Sequence, residues 1–117
     1  PQQVDAQWMG VLTQTSLQSA GMLQRLGLRP GTQGFNRVMF NILDLSVQSP
    51  AAVRDFLLKL PKVGAQGFTV ESIAKARADS FYRYDGTLDA PGFGNSYNRL
   101  FTDQRSRAGV FDYKRRF

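Results

Sequence analysis

The residues best suited to chemistry lie at the end of the chain, where cations and aromatic rings alternate. Residues 105–117 contain five cations, three aromatic rings and one acid, Asp112. The cations are Arg105, Arg107, Lys114, Arg115 and Arg116, and the rings are those of Phe111, Tyr113 and Phe117. Aromatic and arginine side chains dominate desolvated contacts between macromolecules, so this segment predicts binding to a partner.

Three more rings precede this segment and complete the predicted partner-binding set. Phe93 stands between two glycines, an arrangement that would offer its ring outward on a flexible support. Ser96 predicts the cap of a short helix through about Arg105, which would present Tyr97 and Phe101. From residue 107 onward no helical or strand period is evident, so an extended arm is expected.

Three interpretations of the arm stay open. The rings would fill gaps on the chain's own helices, or rings and guanidiniums would dock on an acidic protein, or cations would contact phosphates while rings stack on bases. The last third of the chain carries four acids that would repel phosphate: Asp85, Asp89, Asp103 and Asp112. A protein partner is therefore favoured over nucleic acid.

Composition restricts catalytic chemistry, because the chain has no histidine and no cysteine. Ser-His-Asp and Cys-His arrangements and the common zinc sites are therefore excluded. Asp85 and Asp89, four residues apart in a glycine-containing loop, are the remaining candidates for a carboxylate pair or a hard-cation site. Aspartates in such loops more commonly bond nearby amides in turns. We expect no enzymatic activity, no cofactor and no metal.

The elements that position these residues are predicted to be mainly α-helical. A small bundle of about four helices within residues 1–84 forms the body, and residues 85–117 add a loop, a short helix and the extended aromatic and basic C-terminal arm. Apolar residues at helical spacing place the first helix over residues 4–26. The second covers residues 35–47, where a strand is the alternative.

Local signals place the other two helices of the body. Ser49 and Pro50 predict the start of the third helix, and Pro61 is expected to end it. Thr69 predicts the cap of the fourth helix, whose apolar face is interrupted by Arg77. A cation at such a position is expected to extend to solvent or to pair with an acid.

Length and charge indicate the class of protein. The 117 residues fit one domain, and the net charge is +6, with eleven arginines and four lysines. These features predict a non-catalytic accessory or linker subunit that docks on the acidic protein subunits of a larger assembly. The alternatives are a nucleic-acid-binding protein, such as an organellar ribosomal or nucleoid component, and an enzyme that needs neither histidine nor cysteine.

Hydropathy bears on the cellular location. The longest uncharged stretch, residues 6–24, is too polar to cross a membrane, so a soluble or peripheral protein is expected. The first residue is Pro1, and a location inside an organelle after removal of a targeting segment is compatible with that start.

Overall fold

Serine and threonine side chains mark where the helices begin. In the computed structural model, which describes residues 17–111, each of four helices follows a hydroxyl that accepts a hydrogen bond from an amide three residues later. The capping residues are Thr32, Ser49, Thr69 and Ser96. Such a cap satisfies one of the amides that the first helical turn leaves without a partner. The caps predicted at Ser49, Thr69 and Ser96 are confirmed.

Five α-helices and a short 3-10 turn form the described part of the chain. They are α1 (17–25, as far as it is described), α2 (Gln33–Gln48), α3 (Pro50–Ala65), α4 (Val70–Ala78), the 3-10 turn (Pro91–Phe93) and α5 (Tyr97–Val110). Residues 17–111 contain no strand, only a single bridge between Tyr82 and Leu88. The mainly α-helical prediction is confirmed, and the second element is a helix. Within the same residues, no helix is long and apolar enough to cross a bilayer.

The core lies where the helices meet around α4. Its fully buried apolar side chains include Leu23, Ile42, Leu45, Phe56, Leu60, Ile73 and Leu100. Although α4 has only 9 residues, it packs against α2, α3 and α5. Complete burial of each large apolar side chain contributes about 1.5–3 kcal/mol, so packing stabilises these short helices more than their intrinsic propensity does.

Pro61 does not end α3, and that prediction is wrong. The helix continues through Pro61 to Ala65. Pro61 is exposed, so its ring meets solvent, whereas Leu60 and Val63 on either side are buried in the core. Burial of these neighbours outweighs the cost of proline inside a helix, which is about 3 kcal/mol.

Helix α5 is longer than predicted and replaces the first part of the expected extended arm. Residues 107–110 are helical, so the prediction of an irregular segment there is wrong. The buried positions of α5 are Leu100, Gln104 and Ala108, which lie four residues apart on one face. Gln104 is polar and Ala108 is small, so these positions show no strong apolar period in the sequence. The rest of the arm, from residue 112, lies outside the described residues.

A turn between α4 and α5 reverses the chain at the end of the fourth helix. Phe81 is buried, whereas Tyr84, which lies beyond the end of α4 at Ala78, is fully exposed. The amide of Asp89 donates to the carbonyl of Phe81 at 2.6 Å. Gly86, with φ +88°, supplies the left-handed conformation that the tip of this turn requires. The reversal places α5 alongside α4.

Candidate functional site

The predicted partner-binding residues fall into two groups. Phe93, Tyr97, Phe101, Arg105, Arg107 and Phe111 lie in the described part of the chain, and Tyr113, Lys114, Arg115, Arg116 and Phe117 lie outside it. The structure brings the first group together along the 3-10 turn and α5. Of these, Arg105 alone is exposed, and the others are partly buried.

The described rings pack on the chain's own helices. Phe93, expected to point outward, is partly buried against the core, as are Tyr97 and Phe101. The rings of Tyr97 and Phe101 stack with their centroids 6.1 Å apart. The ring of Phe111 lies 5.8 Å from that of Phe40 on α2. These contacts agree with the interpretation in which the C-terminal rings fold back, and their role in partner binding stays a prediction.

The two described arginines of the set connect α5 to neighbouring helices. Arg105 pairs with Glu71 of α4 through its Nε. Arg107 donates from Nε to Asp103 at 2.9 Å and from Nη1 to Asp44 of α2 at 3.2 Å. Burial lowers the pKa of Arg107, but the hydrogen bond to Asp103 and the charge of Asp44 outweigh that effect and raise it. Both cations are therefore already neutralised within the fold.

A buried guanidinium occupies the junction of α2, α4 and α5. Arg77 is 0% exposed. Its Nε donates to Oε1 of Gln104 at 2.8 Å, its Nη1 to Oδ1 of Asn41 at 2.8 Å and its Nη2 to Oδ2 of Asp44 at 2.5 Å. Burial lowers the pKa of Arg77, while the hydrogen bond and charge of Asp44 act in the opposite direction. Of the two outcomes expected for Arg77, extension to solvent or pairing with an acid, the structure shows the second.

Further amide and carboxylate groups extend this junction into a polar cluster. It comprises Asn41, Asp44, Gln48, Arg77, Asp103, Gln104 and Arg107. Gln104 donates to Gln48 at 3.1 Å, and Gln48 donates to Asp103 at 3.0 Å. Each charge in the cluster faces an opposite charge, so the cluster acts as a polar core that fixes the relative positions of the three helices.

Asp85 and Asp89 act as turn residues. Oδ1 of Asp85 accepts from the amide and the hydroxyl of Thr87 at 3.0 and 2.7 Å. These hydrogen bonds lower the pKa of Asp85. Asp89 pairs with Arg83 at 3.3 Å, so the two carboxylates have different partners. Across residues 17–111, no three acidic side chains converge on a position that could hold a metal ion.

A groove of about 510 Å³ runs between α3 and α4. Its lining includes Leu58, Lys59, Lys62, Val63, Lys75 and Ala76. Residues from each helix recur at intervals of three or four and therefore share the face that borders the groove. Val63 and Ala76 are buried and form an apolar floor, while Leu58 is 71% exposed at the edge. The groove combines an apolar floor with a cationic rim.

Three of the four lysines of the chain border this groove. Lys75 pairs with Asp79 at 2.8 Å, and Asp79 also accepts a hydrogen bond from the hydroxyl of Tyr97 at 2.9 Å. Neither Lys59 nor Lys62 has an ion-pair partner among the described residues. These two ammonium groups are therefore available to an anionic ligand.

The interpretation of the sequence did not identify the groove. Its cationic rim comes from two helices, and the arrangement of one helix against the other is not a local property of the sequence. One signal was present, since Lys59, Lys62 and Lys75 fall within 17 consecutive residues while arginine supplies nearly all the other cations.

The polar cluster and the α3–α4 groove are thus the two polar features that the fold builds from several helices. In the first, the charges pair with one another around the buried Arg77, and the second is open to solvent. Comparisons of this chain with protein-family models, with curated proteins and with solved structures find no match.

Proposed function

We propose that this protein is a non-catalytic accessory or linker subunit that docks on acidic surfaces of other protein subunits. The observation that supports this proposal is the uneven use of charge. Most of the described acids are neutralised within the fold, while a group of cations faces solvent without a partner. A surface of that kind attracts acidic partners and orients them as they approach.

The ion pairs show how the imbalance arises. Asp44, Glu71, Asp79, Asp89 and Asp103 all pair with cations of the chain. The described cations without an ion-pair partner are Arg25, Arg29, Arg54, Lys59, Lys62 and Arg99. These unpaired cations keep most of their charge available to another molecule.

The polar cluster supports a docking role in a second way. It holds α2, α4 and α5 in fixed positions through hydrogen bonds that leave Arg77 with a partner at each of its nitrogens. A rigid body loses little conformational entropy when it binds, which favours a subunit that joins others. The proposal of a non-catalytic role also agrees with the carboxylates of the turn. Asp85 bonds Thr87 and Asp89 pairs with Arg83, so the two do not act as a pair.

Native co-purification tests the proposal. The full chain, carrying an affinity tag, is expressed in its own cells and isolated at low salt with and without nuclease. We expect acidic proteins to remain bound after nuclease treatment, with modest loss as salt increases. Release of all bound material by nuclease, with a steep log-linear dependence on salt, would contradict the proposal and indicate a nucleic-acid partner.

A further inference from the structure

The α3–α4 groove has the dimensions and chemistry of a docking site. Its volume of about 510 Å³ falls within the range of ligand-binding clefts. Lys59 and Lys62 stand one turn apart on α3 and border the groove, and Lys75 borders it from α4. Because Lys75 already pairs with Asp79, the unpaired positive charge that an occupant would meet comes from α3.

An exposed apolar side chain marks the same place. Leu58 is 71% exposed at the edge of the groove, next to Lys59 in the sequence. Buried Val63 and Ala76 line the floor beneath it. An apolar residue of a partner that packed against Leu58 would remove apolar surface from water on both molecules, which favours binding.

On these grounds we infer that the α3–α4 groove binds an acidic peptide segment of a partner protein, with an apolar residue beside its carboxylates. Carboxylates of the segment pair with Lys59 and Lys62, and its apolar residue packs on Leu58. This inference rests on the proposed function and identifies the surface through which it operates. Charge complementarity selects the segment, and the apolar contact sets its register.

Nucleic acid fits the same groove less well. Proteins that bind single strands without sequence preference stack bases on aromatic rings, and the described residues that line the groove include no ring. Asp79 also lines the groove, but it pairs with Lys75, so the charge left for an anionic ligand is that of Lys59 and Lys62. Lysine pairs with carboxylates and phosphates alike, so the absence of a ring carries the preference for a peptide.

The test uses nuclear magnetic resonance of the full, isotopically labelled chain. The probe is a short synthetic peptide of glutamates interrupted by one leucine, and the control peptide has glutamines in place of the glutamates. We expect the acidic peptide to shift the backbone amide signals of Lys59, Lys62 and Lys75, and the control peptide to leave them unchanged. A single-stranded oligonucleotide of equal charge serves as the competing probe.

Matched variants test the contribution of each group. Replacing both lysines, Lys59→Gln with Lys62→Gln, should weaken peptide binding about fivefold, as expected for two exposed ion pairs. Leu58→Ser should weaken it about threefold through loss of apolar contact. The control removes the same charge elsewhere, with Arg25→Gln and Arg29→Gln, and should change affinity less than about twofold.

The outcomes separate this inference from the broader proposal. Equal losses in the lysine and arginine variants, or shifts centred on Arg25 and Arg29, overturn the groove as the site while leaving acidic partners in place. No shifts up to about 1 mM peptide also overturn the groove, and native co-purification then decides the broader proposal independently. Shifts in the groove with the oligonucleotide but not with the peptide overturn both.

Discussion

Arg77→Met is the most informative single change, because it removes the charge at the centre of the polar cluster while keeping a long apolar side chain. Arg77 is 0% exposed and donates to Gln104, Asn41 and Asp44. In the variant, the side-chain oxygens of Asn41 and Gln104 stay buried but lose their donor. We therefore expect a large decrease in the free energy of unfolding without a change of fold.

The size of the decrease follows from which acceptors can find another partner. The side chain of Asp44 is 22% exposed and keeps Arg107, so its contribution is small. Asn41 and Gln104 are 0% exposed, and a buried acceptor left without a donor costs about 1–3 kcal/mol. Two such acceptors give a sum of about 2–6 kcal/mol, a range that includes the 3–5 kcal/mol typical of breaking a buried ion pair. A domain of this size is stable by only about 5–15 kcal/mol.

Urea denaturation followed by far-ultraviolet circular dichroism measures the effect. The matched control is Arg105→Met, because Arg105 also pairs with an acid, Glu71, but the two side chains are 44% and 64% exposed. An exposed pair contributes less than about 1 kcal/mol. Arg77→Lys, which keeps the charge but cannot reach all the acceptors, should fall between the two methionine variants.

Equal midpoints for the two methionine variants would refute the reasoning. That result would mean that the acceptors around position 77 are satisfied by water or by rearranged neighbours, so burial would not determine the cost. A lower urea slope for Arg77→Met, in place of a lower midpoint, would instead indicate a change in the surface exposed on unfolding.

Three further predictions concern α3 and the contact between α5 and the end of α4. Pro61→Ala should raise the free energy of unfolding by about 1–2 kcal/mol in urea denaturation, because alanine restores a backbone donor inside α3. An unchanged free energy of unfolding would show that the helix already accommodates the proline. Ser49→Ala should lower it by about 1 kcal/mol in the same assay through loss of the cap, whereas Ser49→Gly should cost less. Burial, and then the hydrogen bond to Asp79, raise the pKa of Tyr97 from 10.0 to about 12. Between these two pH values the folded state keeps a proton that the unfolded chain loses, so the free energy of unfolding falls as pH rises from 10.0 to about 12. Tyr97→Phe should remove both that part of the pH dependence and the last step of the tyrosinate absorbance titration, and an unchanged titration would contradict the assignment.

Features that depend on a few neighbouring residues could be predicted from the sequence. Ser49, Thr69 and Ser96 were identified as caps because a hydroxyl before a helix acts on amides only two or three residues away. Arg77 was identified as a residue in need of a partner because it interrupts an apolar stripe. The sequence could not show which acid it would meet, since Asp44 lies on another helix, 33 residues earlier.

The features that were missed depend on packing between helices. Pro61 was expected to end α3, and the burial of Val63 beyond it keeps the helix intact. The end of α5 was predicted too early because two of its buried positions are occupied by Gln104 and Ala108. A polar and a small residue do not produce the apolar period from which a helix is predicted. Of the predicted partner-binding set, Tyr97 and Phe101 were placed correctly on a helix, whereas Arg107 was placed in an extended arm. The groove was missed because it depends on the relative positions of two helices.

The polar cluster has a consequence for synthesis of the protein. Asp44 and Arg107 are 63 residues apart in the chain, and Arg77 meets Gln104 only after α5 has formed. Before α5 is synthesised, Arg77 can reach Asn41 and Asp44 of α2, but its Nε still lacks the acceptor that Gln104 provides. Until α5 packs against α4, the polar cluster is therefore incomplete, and a chain that stopped short of α5 would lack the stabilisation that the cluster provides.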